Sequence, residues 1–227
     1  MAEDRTPLRA RKFARTRLQL LQALVAELET RSFEEVAVRD LCTRAEVSEA
    51  TFFNYFPRKS DLLAYLGRVW GLALNWHARQ AAAARPGLEA IAAVFEEGAR
   101  QARTWPGPLG ELLAHLASRR ARPEIPPLLP IEKRLAWPEL DGIEAVPDQG
   151  VEVVLSQQLQ RAVELGQLPR NTHIPTVMVS LVSLFHGVAL ALVHSNPAAI
   201  AGQYRQQLAL LWAGVRGLTG ARTPVAS

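Results

Sequence analysis

Residues 47 to 63 read Val-Ser-Glu-Ala-Thr-Phe-Phe-Asn-Tyr-Phe-Pro-Arg-Lys-Ser-Asp-Leu-Leu, and no other stretch restricts the fold so tightly. Ser48 has the short, oxygen-bearing side chain that closes the start of a helix. Phe52 and Phe56 then fall four apart, so a short helix from Glu49 can bury one face. The opposite face carries Thr51, Asn54 and Tyr55, with Lys59 just past Pro57. Hydroxyls, a carboxamide and an ammonium are groups that contact phosphates and base edges, so this helix is expected to read DNA.

Immediately upstream, Val38 to Ala45 has apolar residues at 38, 41, 42 and 45, the spacing of a short helix with one buried stripe. Two short helices with a tight turn between them make a helix-turn-helix. Arg9 to Thr30 holds Phe13, Leu18, Leu21, Leu24, Val25 and Leu28 near helical spacing, so a longer first helix can roof the pair.

On Phe33, Val38-Arg39-Asp40-Leu41, Ala45, Val47-Ser48, Thr51, Phe52-Phe53, Tyr55-Phe56, Lys59 and Leu62-Leu63, in order and without gaps, the first sixty or so residues resemble the DNA-binding domain of TetR-family transcriptional regulators. The resemblance implies an all-α dimer with a three-helix helix-turn-helix domain at residues 1–58. A larger helical domain at 59–220, for ligand binding and dimerisation, and a tail at 221–227 would follow. With it the leading reading is a repressor that holds a palindromic, double-stranded DNA operator and is released by a small molecule, an apolar one by the aromatic residues of the later helices. The expected DNA contacts are Arg39, Arg44, Ser48, Glu49, Ala50, Thr51, Phe53, Asn54, Tyr55 and Lys59. Asn54 is suited to an adenine edge, and Tyr55 and Lys59 to phosphates.

Several positions depart from the family pattern. Ser32, Glu46 and Ala50 stand where glycine is usual, Ala37 where threonine caps the second helix, and Arg58 where a small capping residue is common. A positive φ at Glu46 would cost roughly 1 kcal/mol or more.

The net charge is +4, and it gathers at the amino terminus, where Arg5, Arg9, Arg11, Lys12, Arg15 and Arg17 face only Glu3 and Asp4. Beside a helix-turn-helix, such a cluster is expected to attract phosphate. Cys42 is the sole cysteine, so no disulfide can form within the chain, and its place on the apolar stripe makes it a core residue. The charged first seventeen residues do not read as a signal peptide, and a cytoplasmic protein is expected. Ile174 to Val193 carries no charge and approaches the length of a membrane span. Ser180, Ser183, His186 and Gly187 interrupt it, and Pro175 opens it like a soluble helix, so we expect a buried interface helix and no membrane.

The rest of the chain reads as helices: Lys59 to Arg85, stopped by Pro86-Gly87; Leu88 to Arg103; a turn at Trp105 to Pro108; and Leu109 to Arg122. Pro123 to Asp148 should be irregular, apart from a short helix near Ile131 to Ala136. Helices over 149–165, 172–194 and 197–218 follow, the last two forming the dimer. Ile200, Tyr204, Leu208, Leu211, Val215 and Leu218 are expected as the bundle seam, and Ser180, Ser183, Gly187 and Ala191 as a small-residue stripe admitting a partner. Trp76, Phe95, Trp105, Leu113, Trp137, Phe185 and His186 are the candidates for an apolar effector site.

The five histidines are scattered without metal-ligand spacing, and no phosphate loop, nucleophile elbow or paired-carboxylate motif occurs. Neither metal, cofactor nor catalysis is therefore expected. A helical enzyme or a membrane-associated protein would leave the 47–63 pattern unexplained.

Overall fold

Helix signals recur every ten to twenty residues, and the computed structural model, which describes residues 7–118 and 126–217, is all-α as expected. Its helices are α1 (Leu8–Glu27), α2 (Val38–Arg44), α3 (Glu49–Tyr55), α4 (Lys59–Ala84), α5 (Leu88–Thr104), α6 (Pro106–Ser118), α7 (Pro130–Ala136), α8 (Val151–Glu164), α9 (Ile174–Leu192) and α10 (Ile200–Gly217). Short 3-10 turns occur at Ile143–Ala145 and Pro197–Ala199. The charges at Glu3, Asp4 and Arg5, any continuation of α6 to Arg122, Leu218 and the tail 221–227 lie outside the described residues. By packing, the chain divides into two compact units, and the division falls inside α4 rather than at its start: residues 1–76 with 105–149, and 77–104 with 150–227.

In the first unit the stripe read from the sequence becomes the core. Leu18, Leu20, Leu21 and Leu24 of α1 meet Leu41 and Cys42 of α2, Phe52 and Phe56, and Leu62, Leu63, Tyr65 and Leu66 of α4. Trp137, Ile143 and Val146 complete the same cluster, so residues beyond the helix-turn-helix share its interior. Burial pushes the Cys42 thiol above its usual pKa, as suits a core residue. α6 begins at Pro106, earlier than the turn expected at Trp105 to Pro108. The first N–H groups of a helix have no intrahelical acceptor, so prolines in the first turn cost it nothing. Gly107 is required there, because a Cβ would strike the carbonyl oxygen of Leu28 at the end of α1.

Residues 126–148 are irregular outside α7 and the 3-10 turn, yet they are tied along α4, while 123–125 lie outside the described residues. Arg68 pairs with Asp148 and donates to the Pro126 carbonyl at 3.1 Å. Asp148 accepts from the Leu128 N–H at 2.7 Å. Trp137 Nε1 donates to the Val69 carbonyl at 2.9 Å, Trp76 Nε1 to that of Asp141 at 2.8 Å, and Asn75 Nδ2 to that of Gln149 at 2.8 Å. Helical carbonyls near Val69 already have intrahelical partners, so these bonds use second lone pairs and loop acceptors.

In the second unit, α5 packs against α8, α9 and α10. Phe95 lies edge-on to both Phe185 and Tyr204, at 5.2 and 4.9 Å between centroids. Gly98 makes room for this cluster, since a Cβ there would come within 2.6 Å of the Phe185 ring. Ile200, Tyr204, Leu208 and Val215 are buried within the single chain, which corrects the expected bundle seam: that spacing serves α10's packing inside its own chain. The outward faces are different. On α9, Val179 and Leu190 are 68% and 57% exposed, with Ser183, Gly187 and Ala191 beside them, and on α10 Leu210 is 67% exposed next to Ala209, Ala213 and Gly214.

Candidate nucleic-acid interface

α3 starts as its sequence requires. Ser48 is in an extended conformation, and its Oγ accepts the Thr51 N–H at 3.1 Å, supplying one of the orphan donors of the first turn. Thr51 Oγ1 lies 2.9 Å from the same oxygen, so its hydroxyl takes part in the cap. Phe52 and Phe56 are buried, which turns Glu49, Ala50, Phe53 and Asn54 outward. Phe53 is 46% exposed on a helix of only seven residues. A large apolar ring left in water is unfavourable, and such exposure commonly marks a contact surface. Tyr55 is half-buried with its ring 5.1 Å from that of Phe13 on α1.

The turn before α3 carries a departure from the family pattern that strains the backbone. Glu46 adopts φ of +54°, the left-handed conformation that glycine takes without penalty. Ala37 leaves α2 without a side-chain cap. At α4 the missing small cap is replaced: the Asp61 carboxylate accepts the Arg58 backbone N–H at 3.0 Å and pairs with the Arg58 guanidinium at 2.8 Å. At Ser32 the side chain and backbone N–H both donate to Glu35, at 2.9 Å each, and these bonds hold the Glu35 carboxyl below its ordinary pKa.

The cations differ in what they already hold. Lys59 donates from Nζ to the carbonyls of Phe33 at 2.7 Å and Val36 at 3.0 Å, with the ammonium 4.3 Å from the Phe33 ring centroid. It therefore anchors the loop before α2 and has one N–H left for a phosphate. Arg44 is exposed and pairs with Glu27 at 3.2 Å, and Arg39 is exposed. Arg9, Lys12 and Arg15 of α1 are exposed as well, whereas Arg17 is not. It is buried against Glu132, which removes it from the amino-terminal set expected to attract phosphate. Its position on the inner face of α1 was legible from the spacing, but a carboxylate 115 residues away was not.

The effector candidates fall in both units. Trp76, Trp105, Leu113 and Trp137 belong to the first, where Trp105 stacks on Trp70 at 5.2 Å and meets Trp137 edge-on at 6.3 Å. Phe95, Phe185 and His186 belong to the second and lie in the packed aromatic cluster, with Phe185 edge-on to His186 at 5.4 Å. The His186 Nδ1 is 3.1 Å from the Val182 carbonyl, a bond within its own helix. Among the described residues, no three of His, Cys, Asp and Glu stand close enough to hold a metal ion.

A capped short helix that buries two phenylalanines on a three-helix core and turns Phe53 and Asn54 outward defines a helix-turn-helix DNA-binding domain. Residues 20–66 match the family model described as bacterial regulatory proteins, tetR family, and they form a TetR-family DNA-binding domain. No curated protein matches the chain. Among solved structures, that of Thermus thermophilus FadR, a TetR-family transcriptional repressor in complex with lauroyl-CoA, superposes with a TM-score of 0.62 at 22% identity, over 93% of this chain and 98% of that one. A TetR transcriptional regulator from Rhodococcus sp. RHA1 gives 0.57 at 18% identity, over 89% and 96%. The chain thus has the fold of TetR-family regulators over nearly its whole length.

Proposed function

We propose that the protein is a ligand-responsive transcriptional repressor of the cytoplasm, which binds a palindromic operator as a homodimer and is released by an apolar small molecule. The observation that carries this reading is the outward face of α3, where Phe53 and Asn54 stand exposed on a helix fixed at its start by Ser48. Asn54 would pair with an adenine edge, Phe53 would meet a thymine methyl, and Thr51, Tyr55, Lys59, Arg39 and Arg44 would meet phosphates. Ser48, Glu49 and Ala50 would lie closest to the groove at the helix start.

Dimerisation is supported by α9. It is long and apolar enough by composition to cross a membrane, but only 17% of its most apolar window is covered within the protomer. A second copy, laid on Ser183, Gly187 and Ala191 of α9 and on Ala209 and Gly214 of α10, would cover that face and place two recognition helices on one DNA. The effector would bind within residues 60–195, either at Trp76, Trp105, Leu113 and Trp137 in the first unit or at Phe95, Phe185 and His186 in the second. The lauroyl-CoA held by the Thermus thermophilus protein makes long-chain acyl thioesters the first compounds to try.

Selecting bound DNA from a random pool with the purified protein tests the proposal. We expect a palindrome with half-sites about one helical turn apart. Recovery of unrelated sequences would overturn it.

A further inference from the structure

A buried polar cluster in the first unit takes no part in the roles assigned above. Arg17 of α1 is 1% exposed, and its Nη1 lies 3.3 Å from a carboxylate oxygen of Glu132, which is fully buried on α7. Tyr65 of α4 donates its hydroxyl hydrogen to the same carboxylate, as does the Leu129 N–H at 3.1 Å. The guanidinium carbon stands 4.2 Å from the Tyr65 ring centroid, 5.2 Å from that of Phe13 and 5.6 Å from that of Phe56. Phe56 follows the last residue of α3, and Phe13 packs on the Tyr55 ring. One ion pair thus joins the 126–149 segment to the rings that seat the recognition helix.

Burying two charges rarely stabilises a core more than apolar side chains of similar volume would, so the pair calls for another reason. Its geometry is that of a hold that can be undone. Only Nη1 of Arg17 meets the carboxylate, while Nε and Nη2 have no hydrogen-bond partner among the described residues. A forked, two-bond pair would be firmer. If α7 shifts and takes the carboxylate away, a buried cation is left uncompensated, and α1 with the rings around Arg17 must move to relieve it.

The geometry points to Glu132 as a positioning residue for DNA reading: acting through Arg17, it sets from the 126–149 segment where Phe13 and Phe56 hold α3. This rests on the reading of the protein as a DNA-binding regulator. Glu132 touches no DNA. Its substitution should therefore alter recognition of the operator without altering the attraction of phosphates.

The test compares the full-length protein with Glu132→Gln, Arg17→Met and the double variant, measuring affinity for the selected operator and for random DNA across salt concentrations, with thermal midpoints alongside. Glu132→Gln keeps the shape and removes the charge, and it should weaken operator binding by about tenfold. Random-DNA affinity and the salt slope should stay as in the wild type, because no phosphate contact is lost. In the Arg17→Met background the same change should alter operator affinity by less than about twofold, since the partner it acts through is gone. Undiminished operator preference in folded Glu132→Gln overturns the proposal, as does an equal loss in the Arg17→Met background or a parallel loss on random DNA. Should Glu132→Gln fail to fold, the double variant carries no uncompensated charge, and an operator preference in it equal to wild type is the overturning result. Wild-type protein with no preference for any sequence would instead overturn the regulator reading, and this proposal with it.

Discussion

Lys59 holds the scaffold and, in the proposed function, serves the contact surface as well. Because its ammonium already holds the Phe33 and Val36 carbonyls, Lys59→Ala should lower the thermal midpoint as well as operator affinity. The salt slope should fall by about one, with the loss uniform across sequences. A lower midpoint with an unchanged slope would leave Lys59 as loop anchor only. Asn54, exposed on α3, should behave differently: Asn54→Ala should relax preference at one base position, costing about 1–3 kcal/mol there. Equal loss on all sequences would remove it from base reading. Glu46→Gly should raise stability by about 1 kcal/mol, read from the denaturation midpoint, because the left-handed φ is then free of the Cβ clash. The sequence disclosed this strain as the absence of a usual glycine. It did not disclose Glu132, since a long-range ion pair leaves no periodic trace near either partner.

At the scale of elements, periodicity named the helices well and their partners poorly. The stripe Ile200, Tyr204, Leu208, Val215 was correctly apolar, yet the same three-and-four spacing suits packing within a chain or between chains, and here α10 turns it toward α5. Likewise the prolines between Pro123 and Asp148 point to irregular chain, while what ties its described part to α4 is a set of side-chain bonds to carbonyls. The outward face of α9 yields a sharp prediction. Nothing lies within 4 Å of a Cβ added at Gly187, so within one protomer Gly187→Leu is unopposed and, by helix propensity, mildly stabilising. Across a close helix pair it would clash. Sedimentation should therefore show the dimer split or weakened while helical content is kept. A variant that remains a tight, operator-competent dimer would move the interface off this face.

For the whole molecule, the proposed function requires that effector binding change the affinity of the recognition helices for DNA. A compound that binds both forms equally shifts nothing, so the effector must favour the form with weaker operator affinity. Linkage then fixes a reciprocal effect: operator DNA must weaken effector binding by the same factor, commonly about 5–150-fold. Tryptophan emission offers the readout, because Trp105 contacts both Trp70 and Trp137 in the first unit and the Trp76 and Trp137 indoles bond to backbone carbonyls there. Titrating lauroyl-CoA, free lauric acid and aromatic acids should find one that changes emission saturably and lowers operator affinity, and the emission midpoint should move to higher ligand concentration when operator is present. A ligand that changes emission while its midpoint is indifferent to operator is bound but is not the signal. If every compound tried leaves operator affinity unchanged across the three classes, the apolar effector is wrong for this chain, and the search turns to a protein partner as the releasing signal.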